Sequence, residues 1–343
     1  RIVSYVIISI ALVFLLNNFL NYWGDWPGVK KLYANYGWFG FEKLKNPLDG
    51  SAFTFSFIQF LFYVLSFLAI IYYVYKTPRQ TLDKDSEILA KFSAYIIRSA
   101  FWAVFIIGVV DIIISFLATE RLLVIITNEK IHANLISPSF RITFVHLPLL
   151  IISLVIGYFT RTLGFIWLAI LVLFAEFSIV ITRFIFSYEQ AFMGDLVRFW
   201  YGALFLFASS YALIHEGHVR VDVLYTNFSE SRKAWTNTVG SLFLGIPLCF
   251  CIIFLGMRSK ASIINSPMIN FEVTQQGVQG LYVKYLMAGF LAVFALSMLT
   301  QFASYFMKNA NIVPVDFSGF SGFSVGRLPC SRAAQWEFRD ATR

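Results

Sequence analysis

The residues best equipped for chemistry fall in one short run, His215 to Asp222, within HEGHVRVDVLY. Two imidazoles, two carboxylates and a guanidinium stand there within eight residues. Such a set can pair ions, pass a proton or do general acid–base work. Catalysis would also need a nucleophile or a metal, and neither is evident. Cys249, Cys251 and Cys330 have no zinc-ligand spacing and no histidine cluster beside them. Strict alternation through His218, Val219, Arg220, Val221 and Asp222 would set the three polar side chains on one side of an extended segment. The alternative is a turn closing on itself. Either way the chemistry left to His218, Arg220 and Asp222 is ion pairing, within the knot or with a partner's loop.

Further charges stand where charge is expensive. Asp111 and Glu176 lie inside apolar runs, and an ionised carboxylate in hydrocarbon must be paired or wet. Each reads as an ion or proton site, as a salt bridge to a neighbouring subunit, or as a carboxylate protonated or paired locally for structure. Arg183 follows Glu176 by seven residues, two helical turns along one face, so both could address one partner helix. Asp195 stands just before the apolar run that ends in the knot. Glu272, Gln275 and Gln276 decorate a polar loop, INFEVTQQGVQG.

Membrane helices must position these groups. Hydrophobic residues make up 58% of the chain and charged residues 13%, roughly half the charged share of a soluble domain. With 39 Phe in 343 residues, one soluble core could not bury the apolar surface. Runs long enough to cross hydrocarbon are read at 2–20, 53–75, 94–118, 144–159, 163–186, at the helix from Trp200, and at 239–257 and 281–307. The fold class expected is all-α: a polytopic membrane protein of about eight transmembrane helices. Residues 21–50 interleave aromatics with lysines, which suits a membrane interface. Residues 77–91 read as a plain loop, 119–141 as a loop with an interfacial patch at Leu122 to Ile126, and Pro247 as a kink.

The net charge of +8 is spread over loops and termini, which fits anchoring beside anionic lipid headgroups and not nucleic acid. Eight spans put both ends on one side. Lys and Arg divide almost evenly between the two sides, so charge bias does not say which. No internal repeat supports an inverted-repeat transport core. The first run lacks a signal-peptide cleavage site and reads as a membrane helix. The chain starts at Arg1 without an initiator Met, as a fragment would. From about Val315 the composition shifts, and the tail is expected to be disordered or foreign.

Three stretches resemble one family. IVITRFIF at Ile179 to Phe186 is similar to its apolar helix ending in an Arg before an aromatic. Asp195 through GHVRVDVLY, Gly217 to Tyr225, resembles its acidic residue, small-residue-rich helix and HVRVD signature, although Asp195 stands where Glu is expected. NFEVTQQGVQGLYVKYLMA is similar to the acidic, Gly-containing loop before its last helix. On these residues the chain, from Leu163 to about Lys308, resembles the DctQ-like small permease subunit of TRAP transporters.

The resemblance implies a non-enzymatic, cofactor-free scaffold in the bacterial inner membrane, with both termini cytoplasmic. Its partners would be a large TRAP permease subunit and a periplasmic substrate-binding protein, importing an organic acid with sodium. The knot of His218, Arg220 and Asp222 would contact the large subunit on the cytoplasmic side. The loop of Glu272, Gln275 and Gln276 would face the binding protein. Three regions are expected: a four-helix membrane extension at 1–160, a DctQ-like bundle at 161–310 and a tail at 311–343. The competing class is a self-sufficient secondary transporter built on Asp111 and Glu176.

Overall fold

The computed structural model describes residues 1–161, 164–214, 225–274 and 280–313, and every regular element among them is helical. In chain order these are α1 (Ile2–Trp23), α2 (Val29–Tyr36), α3 (Gly50–Lys76), α4 (Leu82–Thr119), α5 (Leu122–Ile126), α6 (Glu129–Ile136), α7 (Pro138–Phe159), α8 (Phe165–Phe186), α9 (Ala191–Ile214), α10 (Glu230–Gly256), α11 (Asn265–Ile269) and α12 (Lys284–Ile312). All but α2, α5, α6 and α11 are long and apolar enough to cross a membrane, which makes eight among the described residues. The all-α, eight-span fold class is therefore observed. The tail beyond Val313 lies outside the described residues.

Several boundaries differ from those expected, each for a physical reason. Residues 82–91 are not loop but the start of α4, which runs for 38 residues, about 57 Å. Thr81 caps it, its hydroxyl accepting from Lys84 N at 3.4 Å, and Asp83 and Asp85 favour the positive helix start. Asp85 is buried because Arg1, Tyr5 and Gln80 donate to its carboxylate. The fourth span is extended backwards, so that α7 starts at Pro138 in the expected loop. The rest of that loop holds α5 and α6. Residues 281–283 are not the start of the last span; they are buried, non-helical, and precede α12.

Two spans contain a π-helical turn, Ile142–His146 in α7 and Ser241–Gly245 in α10. Each ends two residues before a proline, Pro148 and Pro247. Proline has no N–H to donate to the carbonyl four residues back, and a widened turn accommodates that loss. The kink expected at Pro247 thus takes the form of a π turn.

The long helices α4 and α12 form the spine and run antiparallel. Ser86 and Ser304 each donate to the other's carbonyl, at 2.9 and 2.7 Å, and Ser93 Oγ donates to Ser297 O at 2.9 Å. Small hydroxyl residues let the two backbones approach and satisfy one another without water. Ile97, Phe101, Val104 and Ile107 of α4 pack against Leu168 of α8, Phe199, Trp200 and Phe207 of α9, and Phe290 of α12. Ala11 of α1, Ile253 of α10 and Leu299 of α12 belong to a second cluster. Residues from before and after position 160 therefore share one core. By contrast α3 and α8 are peripheral: their most apolar stretches are only 6% and 11% buried, against 44% for α12, leaving apolar faces that suit lipid.

At one crossing, α7 lies against α4 with only a glycine between them. A Cβ at Gly157 would stand 2.8 and 2.9 Å from Ser99 Cα and N. Arg98 Nε donates to Gly157 O at 3.1 Å, and Trp102 Nε1 to Thr160 Oγ1 at 3.1 Å, locking the contact.

Candidate functional site

Asp111 of α4 is fully buried and is the centre of a polar network. Its Oδ1 takes Arg141 Nη2 at 2.6 Å and His146 Nε2 at 2.8 Å. Its Oδ2 accepts the backbone N–H of Tyr282 at 2.7 Å. Arg141 Nη2 also donates to Asp111 O at 2.7 Å and Ser115 Oγ at 2.9 Å, and Ser115 Oγ donates to Gly280 O at 3.2 Å. The guanidinium lies 4.3 Å from the Tyr282 ring centroid, a cation–π contact strengthened by desolvation. His146 Nε2 must carry the proton, since a carboxylate only accepts; its Nδ1 faces Tyr285 Oη at 3.0 Å.

The π turn explains how two residues of α7 reach one oxygen. Five positions along an α-helix are about 140° apart, so Arg141 and His146 would face different neighbours. Between them the turn is π-helical, with i to i+5 periodicity, and both side chains project onto Asp111. Tyr282 completes the closure, its hydroxyl donating to Ile136 O at 2.7 Å. Burial pushes the Tyr282 phenol above its ordinary pKa, so it remains a neutral donor.

A second buried carboxylate holds the same segment from the other side. Asp195 of α9 is 1% exposed; its Oδ2 accepts from Leu281 N at 3.3 Å, and Arg198 Nη1 lies 3.3 Å from its Oδ1. Thr274 donates N–H and hydroxyl to Leu281 O, the former at 3.1 Å. Glu272 pairs with Lys284 at 2.7 Å, and its carbonyl accepts from Tyr285 N at 3.1 Å. The loop before α12 is thus closed on itself and clamped by Asp111 and Asp195.

The other expected residues fall apart from this network. Glu176 is exposed on α8. Arg183 is exposed too and pairs with Glu189 at 3.4 Å, not with Glu176. His218, Arg220 and Asp222 lie outside the described residues, as do Gln275 and Gln276. Sequence reasoning passed over Arg141, His146, Ser115, Tyr282 and Tyr285. One signal was available: an imidazole inside an apolar span needs a partner as a carboxylate does, and Asp111 was the unpartnered carboxylate.

Residues 169–308 match the family described as Tripartite ATP-independent periplasmic transporters, DctQ component. Over that stretch the chain is similar to the DctQ component family. The match falls within the region where the resemblance was seen, and it includes Glu176, Arg183, Asp195 and Glu272. No curated protein and no solved structure matches the chain. DctQ proteins are transporter components and not enzymes. TRAP systems pair the DctQ component with a DctM permease and a DctP binding protein.

Against the DctQ boundary the network takes on a clear geometry. Asp111, Ser115, Arg141 and His146 precede the matched stretch, whereas Asp195, Leu281, Tyr282 and Tyr285 belong to it. Contacts from Asp111 to the Tyr282 N–H, from Arg141 to the Tyr282 ring and from His146 to the Tyr285 hydroxyl therefore tie residues outside the DctQ match to the segment at the start of the last DctQ helix.

Proposed function

We propose that this chain is the small membrane subunit of a TRAP-type importer that moves an organic acid with sodium, beside a large permease subunit and a periplasmic binding protein. The observation that carries the reading is the DctQ match over residues 169–308. In this reading residues 1–160 are a four-helix extension that stiffens the DctQ bundle of 161–310, and residues 311–343 take no part. The His218, Arg220 and Asp222 knot holds the large subunit from the cytoplasmic side, and the loop of Glu272, Gln275 and Gln276 faces the binding protein. The intramembrane carboxylates do not form a shared pathway: Asp111 is committed to Arg141 and His146, and Glu176 stands exposed on α8. That speaks against a self-sufficient transporter.

Reconstitution tests the assignment. The chain with its large subunit and binding protein should take up an organic acid under a sodium gradient, and the chain alone should not. Asp222→Ala should leave the chain's abundance unchanged while recovery of the large subunit falls about tenfold or more, since removing one member of a desolvated pair costs about 2–5 kcal/mol. Uptake by the chain alone, or full recovery of the partner with transport abolished, contradicts the reading.

The orientation is tested separately. This reading has both ends in the cytoplasm, with Ser231 inside and Ser266 outside. In a background lacking Cys249, Cys251 and Cys330, a cysteine at 266 should react with an impermeant maleimide in intact cells. A cysteine at 231 should react only after lysis. The reverse pattern inverts the topology.

A further inference from the structure

Near the ends of α1 and α10 and the start of α12 lies a cavity of about 540 Å³, within the range of about 300–1,000 Å³ typical of ligand sites. Its walls come from α1, α4, α7, α9 and α12, and α11 covers one end. It therefore spans the seam between the DctQ stretch and the residues before it. Among the described residues no Lys, Arg, His, Asp or Glu lines it, so these walls offer an anionic transported solute no counter-charge. Apart from Asn18, Ser99, Ser153 and Asn265 the lining side chains are apolar or aromatic, and apolar cavities stay dry. The mouth opens between α1 and α7, where Phe19, Trp23 and Leu154 are exposed.

One end is polar in a specific way. Asn18 Nδ2 donates to Met257 O at 2.7 Å and Asn265 Nδ2 to the same carbonyl at 3.0 Å. A carbonyl only accepts, so the amide nitrogens must face it and both Oδ1 atoms turn elsewhere. Neither Oδ1 accepts a hydrogen bond among the described residues. Two acceptors thus stand beside Trp23 at the helix ends, where aromatic residues mark the level of lipid headgroups.

We propose that this cavity is a phospholipid site. An acyl chain fills the apolar interior, and a head group bearing N–H or O–H donors, such as ethanolamine, meets the Asn18 and Asn265 oxygens. A helix is a poor occupant: at about 10–12 Å across, it would use up the space in little more than one turn. A flexible chain enters sideways from the bilayer through the gap between α1 and α7. Once inside, it restores the dispersion contacts an empty void forfeits and holds the α1 and α7 walls against α12.

The test uses the full chain purified in detergent, with bound phospholipid counted by native mass spectrometry. Transport does not enter the readout, so the outcome is independent of the importer assignment. One phospholipid per chain should survive extensive washing. A Cβ at Gly289 would meet only Met268 Sδ, at 3.8 Å, so Gly289→Leu projects into the cavity without a backbone clash. Retention should then fall about tenfold, and Gly289→Ala should keep the lipid. Ala100→Leu, from the α4 wall, repeats the test should Gly289→Leu not fold. After delipidation, phosphatidylethanolamine should raise the melting temperature more than phosphatidylcholine, whose quaternary amine has no N–H. Equal retention by the native chain and both leucine variants overturns the site, as does the absence of retained lipid in the native chain. Equal stabilisation by the two lipids overturns the head-group assignment.

Discussion

Asp111→Ala should cost about 3–5 kcal/mol of stability, the usual consequence of removing one member of a buried ion pair. The loss is not simply that of a contact. Arg141 is 1% exposed and His146 fully buried, so the guanidinium would be left without its carboxylate in a site water does not reach. The Tyr282 N–H would lose its acceptor as well, freeing the loop before α12. Thermal unfolding of the purified chain measures the cost, and limited proteolysis between residues 270 and 284 reports the loosened loop. Removing both charges, as in Asp111→Leu with Arg141→Met, should be less damaging than the Asp111 change alone, because no unpaired charge remains. A single-variant loss below about 1 kcal/mol, the value of an exposed pair, would mean that the network does not hold the halves together.

Gly157→Val should be almost as damaging, at about 3 kcal/mol or more. The obstacle is backbone: a Cβ there would stand 2.8 Å from Ser99 Cα and 2.9 Å from Ser99 N, neither of which can rotate away. α7 would have to move off α4, pulling Arg98 from Gly157 O and Trp102 from Thr160. Ser99→Gly should not rescue the variant, since it removes the hydroxyl and leaves the backbone atoms in place. Gly202→Ala is the matching control: its Cβ would meet nothing nearer than 3.9 Å, and in a helix interior it should cost nothing and stabilise by up to about 1 kcal/mol. Comparable melting temperatures for the two glycine variants would refute the close approach at Gly157.

What could be read along the chain was whatever depends on composition and local spacing. Eight apolar runs implied eight spans because hydrocarbon thickness sets a minimum helix length. Where a boundary was misplaced, the deciding interaction was remote or confined to the helix start. The polar stretch at 82–91 joined α4 because Thr81 caps it and Arg1, distant in sequence, covers Asp85. Residues 281–283 precede α12, and the backbone N–H groups of Leu281 and Tyr282 go to the remote Asp195 and Asp111.

The sequence by itself determined the class of the molecule and marked its DctQ-like stretch: a chain this apolar must lie in the membrane, and IVITRFIF, Asp195 and the HVRVD run resemble the family pattern over short runs. It also marked Asp111 as a charge needing an explanation. Only the tertiary structure decided the partners. Arg141 and His146 lie 30 and 35 positions from Asp111 and Tyr282 lies 171 away, separations across which no periodicity operates. What brings them together is the π turn, which Pro148 favours locally, and the antiparallel seam of α4 and α12, which follows from packing. A buried carboxylate demands partners wherever it occurs, but which residues supply them depends on how the helices meet.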